Sequence, residues 1–121
     1  MKEQEQMMIQ IMQQEKAQLE EQINTINNHK EDMEKIMTGL DELTEDSEIL
    51  ANLGKGIYVP AKIKSKNLFM EVGNKIFVEK SIPETKKVIE EEIKKLVGIK
   101  HEMNEKIKSI ELEAQNILKQ S

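Results

Sequence analysis

The chain has 121 residues, enough for one domain, and is 37% hydrophobic, 34% charged and only 2% aromatic, with a net charge of −5. A charged fraction above the usual quarter or so excludes an aromatic-rich compact core and suits long solvated helices with a narrow apolar seam. Cysteine is absent, which excludes a disulfide framework, a thiolate nucleophile and a cysteine metal site.

Mean hydropathy is −0.62, low enough to raise disorder as the competing description, but the periodicity argues against it. With position a at Ile9, Lys16, Ile23, Lys30 and Met37, position d falls on Met12, Leu19, Ile26, Met33 and Leu40, so eight of these ten positions are apolar. Five heptads in unbroken phase predict a coiled-coil helix over residues 1–46. Residues 44–54, TEDSEILANLG, break the phase. They are expected to be the fraying end of this helix and a connection over 47–56, punctuated by Gly54 and Gly56.

Residues 57–80 change period. Ile57, Val59, Ala61 and Ile63 alternate with Tyr58, Pro60, Lys62 and Lys64, and Leu68, Met70 and Val72 alternate with Phe69 and Glu71. Ile76 and Val78 resume the alternation after the Gly73-Asn74 turn signal, and Ser65-Lys66-Asn67 marks a second turn. Period-2 patterning predicts three strand runs, or four short strands if Pro60 splits the first. Tyr58, Phe69 and Phe77 are the only aromatics and lie out of phase with the aliphatic residues, so both faces carry apolar groups. A small sheet of that kind aggregates unless something covers its faces and edges. Ile57, Val59, Ile63, Leu68, Met70, Val72, Ile76 and Val78 are therefore the candidate residues for subunit assembly. The rival arrangement folds the sheet back on the coil ends.

Ser81-Ile82-Pro83-Glu84 is a capping-box pattern with proline in the first turn. The second seam follows over 81–121, with d at Ile82, Ile89, Leu96, Met103, Ile110 and Ile117 and a at Lys86, Ile93, Lys100, Ile107 and Ala114. Two seams of similar length predict an antiparallel hairpin of helices reaching about 60 Å. With a pivot near residue 65, Lys30 falls beside Lys100 and Ile23 beside Ile107, to within about one turn. The seam lysines are expected to cover apolar surface with their stems while the ammonium groups reach water, and to help specify register. The fold class is thus α+β, mostly α: a coiled-coil hairpin with a β-hairpin region at its closed end that assembles into an oligomeric body. All of it, 1–121, forms one domain.

Charge is uneven: residues 1–54 carry −9, residues 55–80 carry +4 and residues 81–121 are neutral. The basic middle is a solvated outer face or a steering patch for acidic partners. Nucleic acid is not expected as a partner, since arginine is absent and the rest of the chain would repel phosphate. No apolar run approaches the roughly 18 residues of a membrane span and no signal peptide precedes the chain, so a soluble cytoplasmic protein is expected.

Met7, Met8 and Ile11 lie off the first seam, and Leu112 and Leu118 off the second; in the hairpin all five fall near its free end. Together with Met12 and Ile117 of the adjoining seam layers they form the candidate surface for binding client polypeptides. Methionine is flexible and polarizable and suits varied apolar partners; stray apolar residues at fraying helix ends are the alternative explanation. His29 and His101 fall off the seams and make no zinc set. Glu20-Glu21 and Glu90-Glu91-Glu92 circle their helices, and Gly54-Lys55-Gly56 lacks phosphate-loop spacing. No catalytic residue, metal ligand or cofactor site is expected.

The order helix, then GIYVPAKIKSKNLFMEVGNKIFVEKSIPET, then helix resembles the prefoldin family, also called GimC, and the two hairpin-forming stretches resemble its alpha-type subunit. The resemblance implies a hetero-hexamer with beta-type subunits, two alpha and four beta, whose strands form a double β-barrel carrying six coiled coils. It implies ATP-independent capture of unfolded client proteins, as a holdase, and their transfer to a group II chaperonin. A structural homo-oligomer or filament built through the same strands, and a coiled-coil adaptor for one partner helix, are the alternatives from other classes.

Overall fold

In the structure, a computed structural model, residues 2–120 are described. The elements run α1 (Glu3–Glu42), β1 (Glu48–Gly54), β2 (Ile57–Lys62), β3 (Leu68–Glu71), β4 (Phe77–Lys80) and α2 (Ile82–Gln120). Two long helices form a coiled-coil hairpin, and a small β-hairpin region separates them in the chain. The chain divides into two compact units, one of residues up to Asp32 with those from Glu92 on, the other of Met33–Glu91.

The first unit is a two-helix seam. Met12, Leu19 and Ile110 are buried at its core, with Met103, Ile107, Ala114 and Ile117 packed against them. Throughout both helices, every a and d position from Ile9 to Leu40 and from Ile82 to Ile117 is buried or half-buried. The half-buried state of Lys16, Lys30, Lys86 and Lys100 fits stems lying along the seam, with the ammonium groups of Lys16 and Lys86 held by Glu111 and Asp41.

The second unit contains the helix ends nearest the strands. Leu40 and Ile89 are buried here, as is Thr85, whose hydroxyl donates to the Ser81 carbonyl at 2.8 Å. Ser81 caps α2: its Oγ accepts the Glu84 amide at 3.2 Å and donates to Glu84 Oε1 at 2.9 Å, so an otherwise orphaned first-turn amide is satisfied.

Two separate two-stranded antiparallel sheets follow, β1 with β2 and β3 with β4. The expected connection over 47–56 is corrected here: α1 stops at Glu42, and Glu48–Gly54 is a strand whose Ile49, Leu50 and Ala51 pair with Ala61, Pro60 and Val59. The fourth strand therefore comes from upstream of Gly54 rather than from a split at Pro60. The register shifts between Asn52 and Gly54, leaving Leu53 as an extra residue, which is a β-bulge.

Both hairpin turns use left-handed backbone. Lys55 (φ 53°) and Gly56 (φ 78°) turn β1 into β2, and Asn74 (φ 49°) and Lys75 (φ 60°) turn β3 toward β4. Positive φ at both central residues is the primed turn that matches strand twist. The second turn is closed by the Ile76 amide donating to the Gly73 carbonyl at 2.9 Å.

Candidate interaction surfaces

The hairpin register decides which side chains share a face. In β3–β4, Met70 pairs with Val78 and Leu68 with Lys80 on one face, while Phe69 with Glu79 and Glu71 with Phe77 occupy the other. Phe69 and Phe77 are thus diagonal neighbours on one face, and they stay 69% and 59% exposed. In β1–β2 one face carries Ile49, Ala51, Val59 and Ala61, and the other Leu50, Tyr58 and Pro60. Leu50, Tyr58 and Val59 are all exposed.

Of the eight candidate assembly residues, Ile57, Val59, Val72, Ile76 and Val78 are exposed, while Ile63, Leu68 and Met70 are half-buried. Sequence reasoning missed Ile49, Leu50 and Leu53, all exposed on β1. The signal that finds them is Lys55-Gly56 set between two apolar runs, which reads as a hairpin turn rather than as punctuation of a loop.

An isolated two-stranded hairpin is marginal in water. Here two of them expose large apolar side chains on both faces, and among the described residues no large side chain is fully buried. Apolar side chains exposed on both faces make the two hairpins a candidate interaction site.

The second surface belongs to the first unit, where the N-terminal turns of α1 meet the C-terminal turns of α2. Met7 and Leu112 are each 62% exposed, and Met8, Ile11 and Leu118 are exposed as well. Met12 and Ile117 are different: Met12 is buried and Ile117 half-buried, both within the seam. They lie beneath the five exposed residues rather than beside them. A groove lined by Met12, Ile110, Ala114 and Leu118 opens on one side of the helix pair, at the layer where the seam carries alanine in place of a larger aliphatic.

Charge borders that groove. Lys16 Nζ lies 3.1 Å from Glu111 Oε1 and 3.9 Å from Glu20. The hydrogen bond from Lys16 to Glu111, and then the attraction between their charges, raise the lysine above its ordinary value. Both histidines are exposed, and among the described residues no group of three or more His, Asp or Glu is placed to hold a metal. Among the described residues no helix is long and apolar enough to cross a membrane.

A helix pair joined in the chain through four strands in two hairpins, with apolar side chains bare on the strands and at the shared helix ends, defines the class of coiled-coil hairpin proteins with a small β-hairpin region. The family model described as a prefoldin subunit matches residues 6–121, so the chain belongs to the prefoldin family. No curated protein matches the sequence. Among solved structures, the chain is similar to a filamentous PFD from Methanocaldococcus jannaschii, determined by cryo-EM. The TM-score is 0.84 at 19% identity, over 96% of this chain and 99% of the other. At that identity the likeness carries the fold.

Proposed function

We propose that the chain is an alpha-type subunit of an ATP-independent holdase, which captures unfolded polypeptide at the shared helix ends and assembles through its two hairpins. The observation that carries the reading is the set Met7, Met8, Ile11, Leu112 and Leu118, all large, apolar and exposed at one end of a seam that has no position left for them. Each contact is weak, on the order of 1–2 kcal/mol for a partly buried aliphatic side chain. Several subunits held in one assembly would supply avidity in place of single-site affinity.

The two hairpins support the alpha-type assignment and the role of the strands in assembly. On this reading the strands of two alpha-type and four beta-type subunits close into a barrel body, which removes the open edges. Clients pass from the helix ends to a group II chaperonin in the cytoplasm. The basic stretch over 55–80, net +4, would guide docking of acidic sister subunits.

A second reading is supported by the filamentous PFD that shares the fold: copies of this chain alone would associate through the same hairpins into an open chain. Expression alone and together with a beta-type subunit, followed by native mass measurement and an aggregation-suppression assay, separates the two. A hexamer formed only on co-expression supports the hetero-oligomer, and an indefinite single-component series supports the filament. A stable monomer that leaves client aggregation unchanged overturns both.

A further inference from the structure

We propose that Met7 and Met8 form a peroxide-sensitive modification site, at which conversion to methionine sulfoxide loosens the grip on unfolded polypeptide. The inference rests on the client-binding reading above and adds a chemical control to it.

The chain has eight methionines and no cysteine, so thioether sulfur is its only oxidisable sulfur. The structure sorts the described methionines sharply. Met7 is 62% and Met8 46% exposed, Met12 is 9% exposed, and Met33, Met37, Met70 and Met103 are half-buried. Among the described methionines, oxidation therefore begins at the two that face solvent within the candidate client surface, while Met12, Met33, Met37 and Met103 are more covered at their seam positions.

In the step itself, the sulfur lone pair attacks a peroxide oxygen. An S–O bond forms as the O–O bond breaks, and the departing oxygen leaves as water after proton transfer. The thioether is oxidised by two electrons and hydrogen peroxide is reduced. The product is polar where the side chain was apolar, and reductases specific for each sulfoxide epimer reverse it.

Position makes the consequence local. Met7 and Ile11 are four residues apart on α1, and Met8 and Ile11 three apart, so they share one helix surface. A sulfoxide there sets a strong acceptor beside Ile11, and an apolar client segment would have to desolvate it. Neither residue belongs to the seam, so the helix pair keeps its packing. The same change at Met12 would strike the core formed with Leu19 and Ile110.

The test treats the assembled protein with hydrogen peroxide and follows each methionine by peptide mass spectrometry. Aggregation suppression and helicity are read on the same samples. Met7 and Met8 are expected to oxidise about tenfold faster than Met12 and Met103. Suppression should fall with them while helicity holds, and methionine sulfoxide reductases should restore it. The double variant M7L/M8L is compared with itself before and after peroxide, and its ratio is expected to stay near one. Equal oxidation of all methionines overturns the proposal, as does undiminished suppression by protein oxidised at both residues, or peroxide sensitivity retained in M7L/M8L. An untreated M7S/M8S variant separates the two levels. If it suppresses aggregation like the parent, the client surface is wrong; if it fails while the oxidised parent does not, only the oxidation inference falls.

Discussion

Lys16 and Glu111 meet across the helix pair, with Nζ 3.1 Å from Oε1, and their residue numbers add to 127. Asp41 and Lys86, paired in the other unit, add to the same number. The antiparallel register is therefore the same in both units: a residue n of α1 stands near residue 127 − n of α2. The sum expected from sequence, for Lys30 with Lys100 and Ile23 with Ile107, is 130, so the two ion pairs lie three residues from it and within one turn. Each ion pair has one seam lysine as its cation, at positions where other layers carry aliphatics.

Replacing Lys16 by leucine tests what that lysine contributes. The seam gains an apolar layer beside Met12 and Ile110, and the unfolding midpoint is expected to rise. Its dependence on alkaline pH should also weaken. Lys16 is raised above its ordinary value in the folded state, so its pairing stabilises fully below the unfolded lysine range near pH ~10.4 and is lost as pH rises through the higher folded value. Chemical denaturation at neutral pH and above that range, in parent and Lys16→Leu, reads both effects. An equal alkaline loss in the two proteins would show that the ion pair adds nothing.

Asp41 and Lys86 combine two locally unfavourable placements. Asp41 sits in the last turn of α1, whose carbonyl end repels a carboxylate, and Lys86 lies near the amide end of α2, which repels a cation. The antiparallel hairpin brings these ends together, and the two charges neutralise each other. Lys86→Glu loses the pair and sets two carboxylates opposite each other, while the glutamate gains from the amide end of α2, so the net cost should be modest, about 0.5–1 kcal/mol in equilibrium unfolding at low salt. The cost should shrink as ionic strength rises. The double exchange Asp41→Lys with Lys86→Glu should recover the parent's stability or exceed it, with the pair restored and each charge then at its favoured helix end.

The seams were legible in the sequence because burial in a two-helix pair depends on spacing alone: each a and d residue from Ile9 to Leu40 and from Ile82 to Ile117 is more covered than most of its neighbours. The start of α2 was legible because Ser81 and Glu84 are the cap. Strand β1 was not. Its bulge at Leu53 breaks the two-residue alternation, so Ile49, Leu50 and Leu53 stand at spacings of one and four, which imitate a helix. Strand β2 escaped that ambiguity because Ile57, Val59 and Ala61 keep phase. At the helix ends, the exposed residues were found because they miss the seam. The structure separates these five from Met12 and Ile117, which are buried and half-buried in the seam.

Cap loss offers a direct stability test. Ser81→Ala removes the acceptor for the Glu84 amide and the donor to the Glu84 carboxylate, and should cost about 1 kcal/mol. Ser81→Asp keeps an acceptor and should retain most of the stability, although the Glu84 carboxylate then faces a like charge. Denaturant unfolding of the assembled protein at fixed concentration makes the comparison. An alanine variant as stable as the parent would mean that the cap carries no weight in the assembled state.

Lys55 occupies a left-handed position between Gly54 and Gly56, where most side chains are strained. Lys55→Asn should stabilise the hairpin by about 0.5–1 kcal/mol, because asparagine adopts this backbone at lower cost than lysine. Gly56→Val, at φ 78°, should destabilise it by roughly 2 kcal/mol or more. Amide exchange of β1 and β2 reads both changes. Protection unchanged by Gly56→Val would mean that this turn does not govern the hairpin.

Charge placed on the strands should separate assembly from folding. Val59 and Val78 are about two-fifths exposed in the single chain, so an aspartate at either place costs that chain little. Once the faces are covered by sister strands, the same carboxylate is buried without a partner and should weaken association by about 3 kcal/mol, or over 100-fold. Sedimentation of Val59→Asp and Val78→Asp should show smaller species with helicity retained. Replacing Met7, Met8, Ile11, Leu112 and Leu118 together by serine should do the reverse. The oligomer should sediment as before, because none of the five lies in a seam or strand, while suppression of client aggregation falls steeply, since every subunit loses its contacts and avidity multiplies the loss. Intact oligomers of the aspartate variants would place assembly elsewhere on the chain, and full suppression by the serine variant would place client binding away from the helix ends.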